Sequence, residues 1–203
     1  MNPNLILATS SARRIELVAA LGLPFRVMHV RFRETAPSLP PEEAARLLAW
    51  RKAETARRRL SRGIIVTADT IVVLDGTIFG KPRSREDASA QLAQLSGTTH
   101  DVVTAVTVMD ARTACGMVGS ELTKVTFRRL GRNTIERYVG TGDPFDKAGA
   151  YGIQGPGRAL IARIRGDYFN VVGFPLRLFA ALGLKFGLRV PPGRLKELYA
   201  SRP

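Results

Sequence analysis

IIVTADTIVVLDGTIF, residues 64–79, decides how this chain folds. Ile64–Val66 and Thr70–Leu74 are short runs of apolar, largely β-branched residues, which predicts strands. Asp75-Gly76 separates the second run from Thr77-Ile78. A two-residue hairpin loop needs positive φ at both central residues, so Asp-Gly at this place predicts a type I′ turn. Between the two apolar runs sits Asp69, an interruption of otherwise oily sequence. A carboxylate so placed is costly unless it is hydrogen bonded, ion paired or bound to a metal.

Outward from this stretch, strands and helices interleave. Leu5–Ala8 predicts a strand, Thr9-Ser10-Ser11 a polar turn, and Ile15–Leu21 a helix capped by Ser10 or Ser11 and stopped by Gly22. Phe25–Val30 resumes as a strand. Pro40-Pro41-Glu42-Glu43 opens a second helix, with Pro in the first turn and two acids at the positive end. Glu86–Leu95 predicts a third helix with Ser84 as its cap. Val102–Met109 and Glu121–Phe127 read as adjacent antiparallel strands. Thr134–Tyr138 predicts a short helix, 140–157 a glycine-rich loop, Ala159–Ile164 a strand and Pro175–Leu182 a closing helix. Hairpins break the βα alternation, so the expected fold is α/β with a mixed β-sheet flanked by helices. No internal repeat is present. Residues 1–184 are expected to form the folded domain, and 185–203 a basic, loosely held C-terminal extension.

With 203 residues, 45% of them hydrophobic and 24% charged, the chain has the composition of an ordinary globular protein. Cys115 is its single cysteine, which rules out an intramolecular disulfide and a cysteine zinc cluster. Leu5–Ala8 is too short for a signal-peptide core, and no window approaches the roughly 18 apolar residues of a membrane span. A cytoplasmic protein with no membrane association is expected. Thirty-one Lys and Arg against 17 Asp and Glu give a net charge of +14, which attracts polyanions. The arginines are dispersed and no aromatic ladder accompanies them, so specific nucleic-acid binding is not expected.

Four segments carry chemistry-bearing residues at expected element ends. Thr9–Arg14 places Ser10, Ser11 and Arg13 at a strand-to-helix junction, suited either to a phosphate or to a simple helix cap with a surface arginine. Asp69 suits a Mg²⁺ ligand or a proton acceptor for water, or else a turn aspartate. Lys52, on the second helix, and Lys81, in Gly80-Lys81-Pro82, read as ordinary surface lysines when taken alone; so does Glu34 as a loop glutamate. His29 and His100 are expected to pack or hydrogen bond in strands. In DPFDKAGAYGIQG, residues 143–155, Gln154 offers a donor and an acceptor suited to the edge of a base. Tyr151 suits the same site or the core. The patterns HExxH, GxSxG and GxxxxGK[ST] are all missing, which removes three common hydrolase readings.

The order LATSSARR (7–14), Glu34, Lys52, TADTIV (67–72), GKP (80–82), LSGTTHDVVTAV (95–106), DPFDKAGAYGIQG (143–155) and GDYFNVVGFPL (166–176) resembles the Maf family over residues 3–183. The resemblance implies two lobes around a cleft, a fold related to the inosine triphosphate pyrophosphatases, and a homodimer. It also implies cleavage of nucleoside triphosphates between the α and β phosphates with a divalent cation, Mg²⁺ or Mn²⁺. Asp69, Lys52 and Lys81 fall on catalytic positions, Ser10, Arg13, Thr70 and Gln154 on substrate-binding positions, and Glu34 with Asp69 on metal positions. Arg13, Thr70 and Gln154 match the dTTP/UTP branch; a sister branch preferring 7-methyl-GTP has Trp, Gln and Glu there. The family usually has a serine at Thr9 and a proline at Ala12. Thr9 keeps the hydroxyl, whereas Ala12 gives up the fixed φ of proline. Modified pyrimidine nucleotides are an alternative substrate class. A regulatory nucleic-acid- or anion-binding role linked to septum formation is the alternative function.

Overall fold

Ile64–Leu74 is one continuous strand (β3), not two separated by a break at Asp69. Thr67 and Thr70 are β-branched and suit a strand, and Thr67 satisfies its hydroxyl by donating to Ala49 O at 2.6 Å. Extended backbone therefore runs through the polar stretch, and Asp69 lies in mid-strand. The computed structural model describes residues 4–31 and 39–202. Its other strands are β1 (Leu5–Ala8), β2 (Phe25–Met28), β4 (Thr77–Phe79), β5 (Thr99–Asp110), β6 (Gly116–Phe127) and β7 (Ile161–Arg165). They form a seven-stranded mixed sheet in the order β2-β1-β3-β5-β6-β7, with β4 paired to β3. The helices are α1 (Ala12–Ala20), α2 (Pro41–Arg57), α3 (Arg85–Leu95), α4 (Arg132–Gly140), α5 (Tyr168–Val172), α6 (Leu176–Lys185) and α7 (Arg194–Ala200).

The chain divides into two compact units, and β3, β5 and β6 contribute residues to both. The first comprises Met1–Asp69, Thr104–Glu121 and Gly173–Pro203. Here β1 pairs in parallel with β2 and with β3, in the register Leu7 to Val27 and Leu7 to Val66. The α2 face toward the core is nearly all alanine: Ala45, Ala49, Ala53 and Ala56 are fully buried. Ala53 and Ala56 share a core cluster with Ala8, Ile65 and Met109, edged by Trp50 and Leu60. Gly116 leaves room for the Trp50 ring, since a Cβ there would lie 3.0 Å from it.

The second unit comprises Thr70–Val103 and Leu122–Val172. Asp75 (φ 48°) and Gly76 (φ 79°) form the predicted turn between β3 and β4. Ser84 caps α3 as expected, its Oγ accepting the Asp87 N–H at 3.1 Å. In the core, His100, Phe127 and Tyr151 meet edge to face, with ring centroids 4.7 to 5.4 Å apart. Buried Asn170 donates to Val102 O and Thr123 Oγ1, both at 2.9 Å.

Several expectations are corrected. α1 begins at Ala12, and its capping residue Ser11 makes no side-chain cap hydrogen bond; instead the Ser11 N–H donates to Thr9 Oγ1 at 3.1 Å. β2 stops at Met28, which leaves His29 exposed beyond the strand. Within 140–157, α4 reaches Gly140 and short 3₁₀ turns form at Asp143–Asp146, Ala148–Ala150 and from Gly155. After residue 184 the chain is tied in rather than loose: Leu188 is buried, and Arg194 of α7 donates to Ala20 O. No helix among the described residues is long and apolar enough to cross a membrane.

Burial lowers the His100 pKa from 6.5 to about 4. Between those values the unfolded chain takes up a proton that the folded protein does not. Stability present above pH 6.5 should thus fall by up to about 3 kcal/mol as pH drops through this window. His100→Gln should flatten this part of the profile, as urea denaturation at pH 7 and pH 5 would measure.

Candidate functional site

Asp69 is 6% exposed at its side chain, yet its Oδ1 lies 2.5 Å from Lys52 Nζ, itself 12% exposed. The alanines of α2 explain how the pair forms. Small side chains let α2 lie close on β3, close enough for Ala49 O to take the Thr67 hydroxyl. Asp69 is two residues beyond Thr67 and so projects from the same strand face. Lys52 is three residues beyond Ala49, one turn along the helix, and meets it there. At such burial the pair is a site of high electrostatic stakes: each charge offsets the desolvation of the other.

The start of α1 belongs to the same unit. Arg14 donates through Nε to Gly173 O and through Nη1 to Ala68 O, both at 2.8 Å. It thereby fixes the helix N-terminus beside the residue preceding Asp69. The sequence pointed to Arg13 as the site residue and assigned Arg14 no role. On a helix, successive side chains point about 100° apart, so one of an adjacent pair can be structural while its neighbour faces elsewhere. Arg13 is half-buried and Ser10 exposed. N–H groups in the first turn of α1 lack intrahelical partners and, with the helix dipole, favour an anion.

In the second unit, Thr70 is half-buried on β3, and Lys81 and Gln154 are exposed. The Gly149 N–H donates to Gly80 O at 3.2 Å, which ties the turn bearing Lys81 to the segment leading to Gln154. Tyr151 is core, its hydroxyl 2.7 Å from His100 Nε2, so it takes no part in a surface site. Asp143, Asp146 and Lys147 also turn toward one another: Lys147 Nζ lies 2.9 Å from Asp143 Oδ1 and 2.7 Å from Asp146 Oδ1. The structure therefore brings Lys52 and Asp69 into contact and sets α1 beside β3. Glu34 lies outside the described residues. Among the described residues no three His, Cys, Asp or Glu side chains gather as a metal cluster.

A sequence profile of Maf-like proteins matches residues 4–185. A protein of Pelotomaculum thermopropionicum named dTTP/UTP pyrophosphatase is 46% identical over 187 residues, 92% of this chain and 98% of its own length. A protein of the same name from Moorella thermoacetica is 48% identical, over 92% of this chain and 96% of its own length. Another from Anaeromyxobacter dehalogenans is 44% identical, over 94% and 98%. The solved Ham1 protein of Staphylococcus aureus superposes with a TM-score of 0.48 and 13% identity, covering 97% of this chain and 96% of its own, a likeness too weak to bear on activity.

Removing one member of the buried pair takes away the charge that offsets the other's desolvation. Lys52→Met should destabilise the protein by about 3 kcal/mol. The double variant Lys52→Met with Asp69→Leu should recover most of that loss in a urea titration. Additive losses in the double variant would mean that the two side chains act independently.

Proposed function

The chain belongs to the family of Maf-like proteins, and from that premise we propose that it hydrolyses dTTP and UTP to the nucleoside monophosphate and pyrophosphate. The observation that carries this reading is the buried Asp69 carboxylate held by Lys52, in a chain alike over nine-tenths of its length to relatives named for that reaction. In the proposed step, water attacks the α-phosphorus and gives its proton to Asp69. The oxygen bridging the α and β phosphorus atoms then departs with pyrophosphate.

Each residue's part follows from its chemistry. The N-terminal N–H groups of α1, with Ser10 and Arg13, suit phosphate oxygens through donors already set in direction. Lys52 orients the Asp69 carboxylate. The Lys81 ammonium offsets negative charge that develops during the displacement. Mg²⁺ or Mn²⁺ would be held by Asp69 and Glu34 together with phosphate oxygens, and would neutralise charge on the triphosphate. Gln154 has both a donor and an acceptor for the pyrimidine edge, and Thr70 supports base recognition in the same assignment. Thymine and uracil share that edge, which accounts for acceptance of both. A cytoplasmic setting and a homodimer belong to the same proposal.

The test is a panel of nucleoside triphosphates with Mg²⁺ or Mn²⁺, scored for pyrophosphate and monophosphate. Release of orthophosphate would place cleavage at a different bond. Asp69→Asn should cut pyrophosphate release by about 100-fold or more, the scale of a lost general base, with the far-UV circular dichroism unchanged. Gln154→Glu should lower kcat/KM for dTTP and UTP by roughly 10- to 100-fold, because the amide donor is replaced by a charge. An unchanged preference over purines would remove Gln154 from base recognition.

A further inference from the structure

The turn that carries Gln154 is built around one buried hydroxyl. Tyr138, on the buried face of α4, donates its O–H to Asp143 Oδ2 at 2.5 Å and accepts the Gly152 N–H at 3.1 Å. Lys147 Nζ then fixes the acceptor, lying 2.9 Å from Asp143 Oδ1 and 2.6 Å from Asp143 O. On the far side of Gln154 the chain returns to the same point. A Cβ at Gly157 would lie 2.1 Å from Gly152 O and 2.8 Å from the Tyr138 hydroxyl, so only glycine permits this closure. Gly152 in turn lies against Lys147: a Cβ there would lie 2.6 Å from Lys147 Cε. Residues two before and three after Gln154 are therefore packed against each other and against Tyr138. Ile153 is buried between them while Gln154 itself is exposed.

An amide tells a donor from an acceptor only when its orientation is fixed, so its support matters as much as its identity. The Tyr138 hydroxyl holds the backbone two residues before Gln154. We propose that Tyr138, held by Asp143 and Lys147, is a positioning residue for Gln154, so that base selectivity depends on a hydroxyl that does not touch substrate. This inference rests on the dTTP/UTP reading above and deepens it. Burial and the neighbouring Asp143 both raise the Tyr138 pKa, so its proton stays in place across the neutral range.

The test compares steady-state kinetics on UTP and GTP for the wild type, Tyr138→Phe and Lys147→Met, with thermal melting of each. Tyr138→Phe should raise KM for UTP and lower the UTP-over-GTP preference, each by about two- to tenfold, the scale of the neutral bond from the Gly152 N–H that it removes. Its kcat for UTP should stay within about twofold, since the residues assigned to the chemistry lie elsewhere. Lys147→Met should shift the same two quantities in the same direction, which keeps the inference testable should Tyr138→Phe fold poorly. Lower melting temperatures with an unaltered preference would assign the cluster to stability alone and overturn the inference. A wild type inactive on pyrimidine triphosphates would overturn the functional reading and this inference with it. An active, selective wild type with unaltered variants overturns this inference only.

Discussion

A carboxylate on an inner strand and an ammonium on the helix above it are held almost out of water, with 2.5 Å between Lys52 Nζ and Asp69 Oδ1. Neither charge is tolerable alone at that depth, and the surrounding structure is arranged to keep them together. The alanine face of α2 sets the distance. The Thr67 hydroxyl bonded to Ala49 O fixes the helix against β3 one strand pair before Asp69. Arg14 grips Ala68 O immediately before the carboxylate, which anchors the first turn of α1 to the same strand. Two helices are thus referenced to two adjacent residues of β3.

The second unit keeps its polar groups in order by a different device. The first unit relies on close packing of small residues. The second relies on a chain of hydrogen bonds from Lys147 through Asp143 and the Tyr138 hydroxyl to the Gly152 N–H. Each polar group in that chain has a partner, so burying it incurs little penalty. Glycines at 149, 152 and 157 let the backbone approach Val72, Lys147 and the Gly152 carbonyl more closely than any side chain would allow. The exposed Gln154 and Lys81 are carried by backbone that is fixed from below, an arrangement suited to groups that must keep a direction without being buried.

This division also explains why the segment richest in charge is not the one richest in site residues. Asp143 and Asp146 share the Lys147 ammonium within the loop. The arginine run Arg57–Arg59 closes α2, where positive charge complements the carbonyl end of the helix. The large net charge is a property of the whole surface, while the proposed chemistry uses a few cations placed by particular backbone contacts.

Much of the fold was legible in the chain. The Asp75-Gly76 turn, the Ser84 cap, the proline-led start of α2 and the antiparallel pairing of β5 with β6 are local signals, decided by residues a few positions apart. The ordered motifs from Leu7 to Leu176 likewise singled out Lys52 and Asp69, which the fold brings into contact. Three things were beyond that reach. The sequence could not show that extended backbone would run through Thr67–Thr70, because that depends on α2 supplying a partner for Thr67. It could not show that Arg14 would bind Ala68 O and Gly173 O, or separate Asp143 and Lys147 from the exposed groups beside them, since residue type does not say which way a side chain faces. Nor could it tie Tyr138 to Gly152 and Gly157. Local propensities act within a turn or a strand, whereas partners for buried polar groups come from distant parts of the chain, and only the packed tertiary structure selects them.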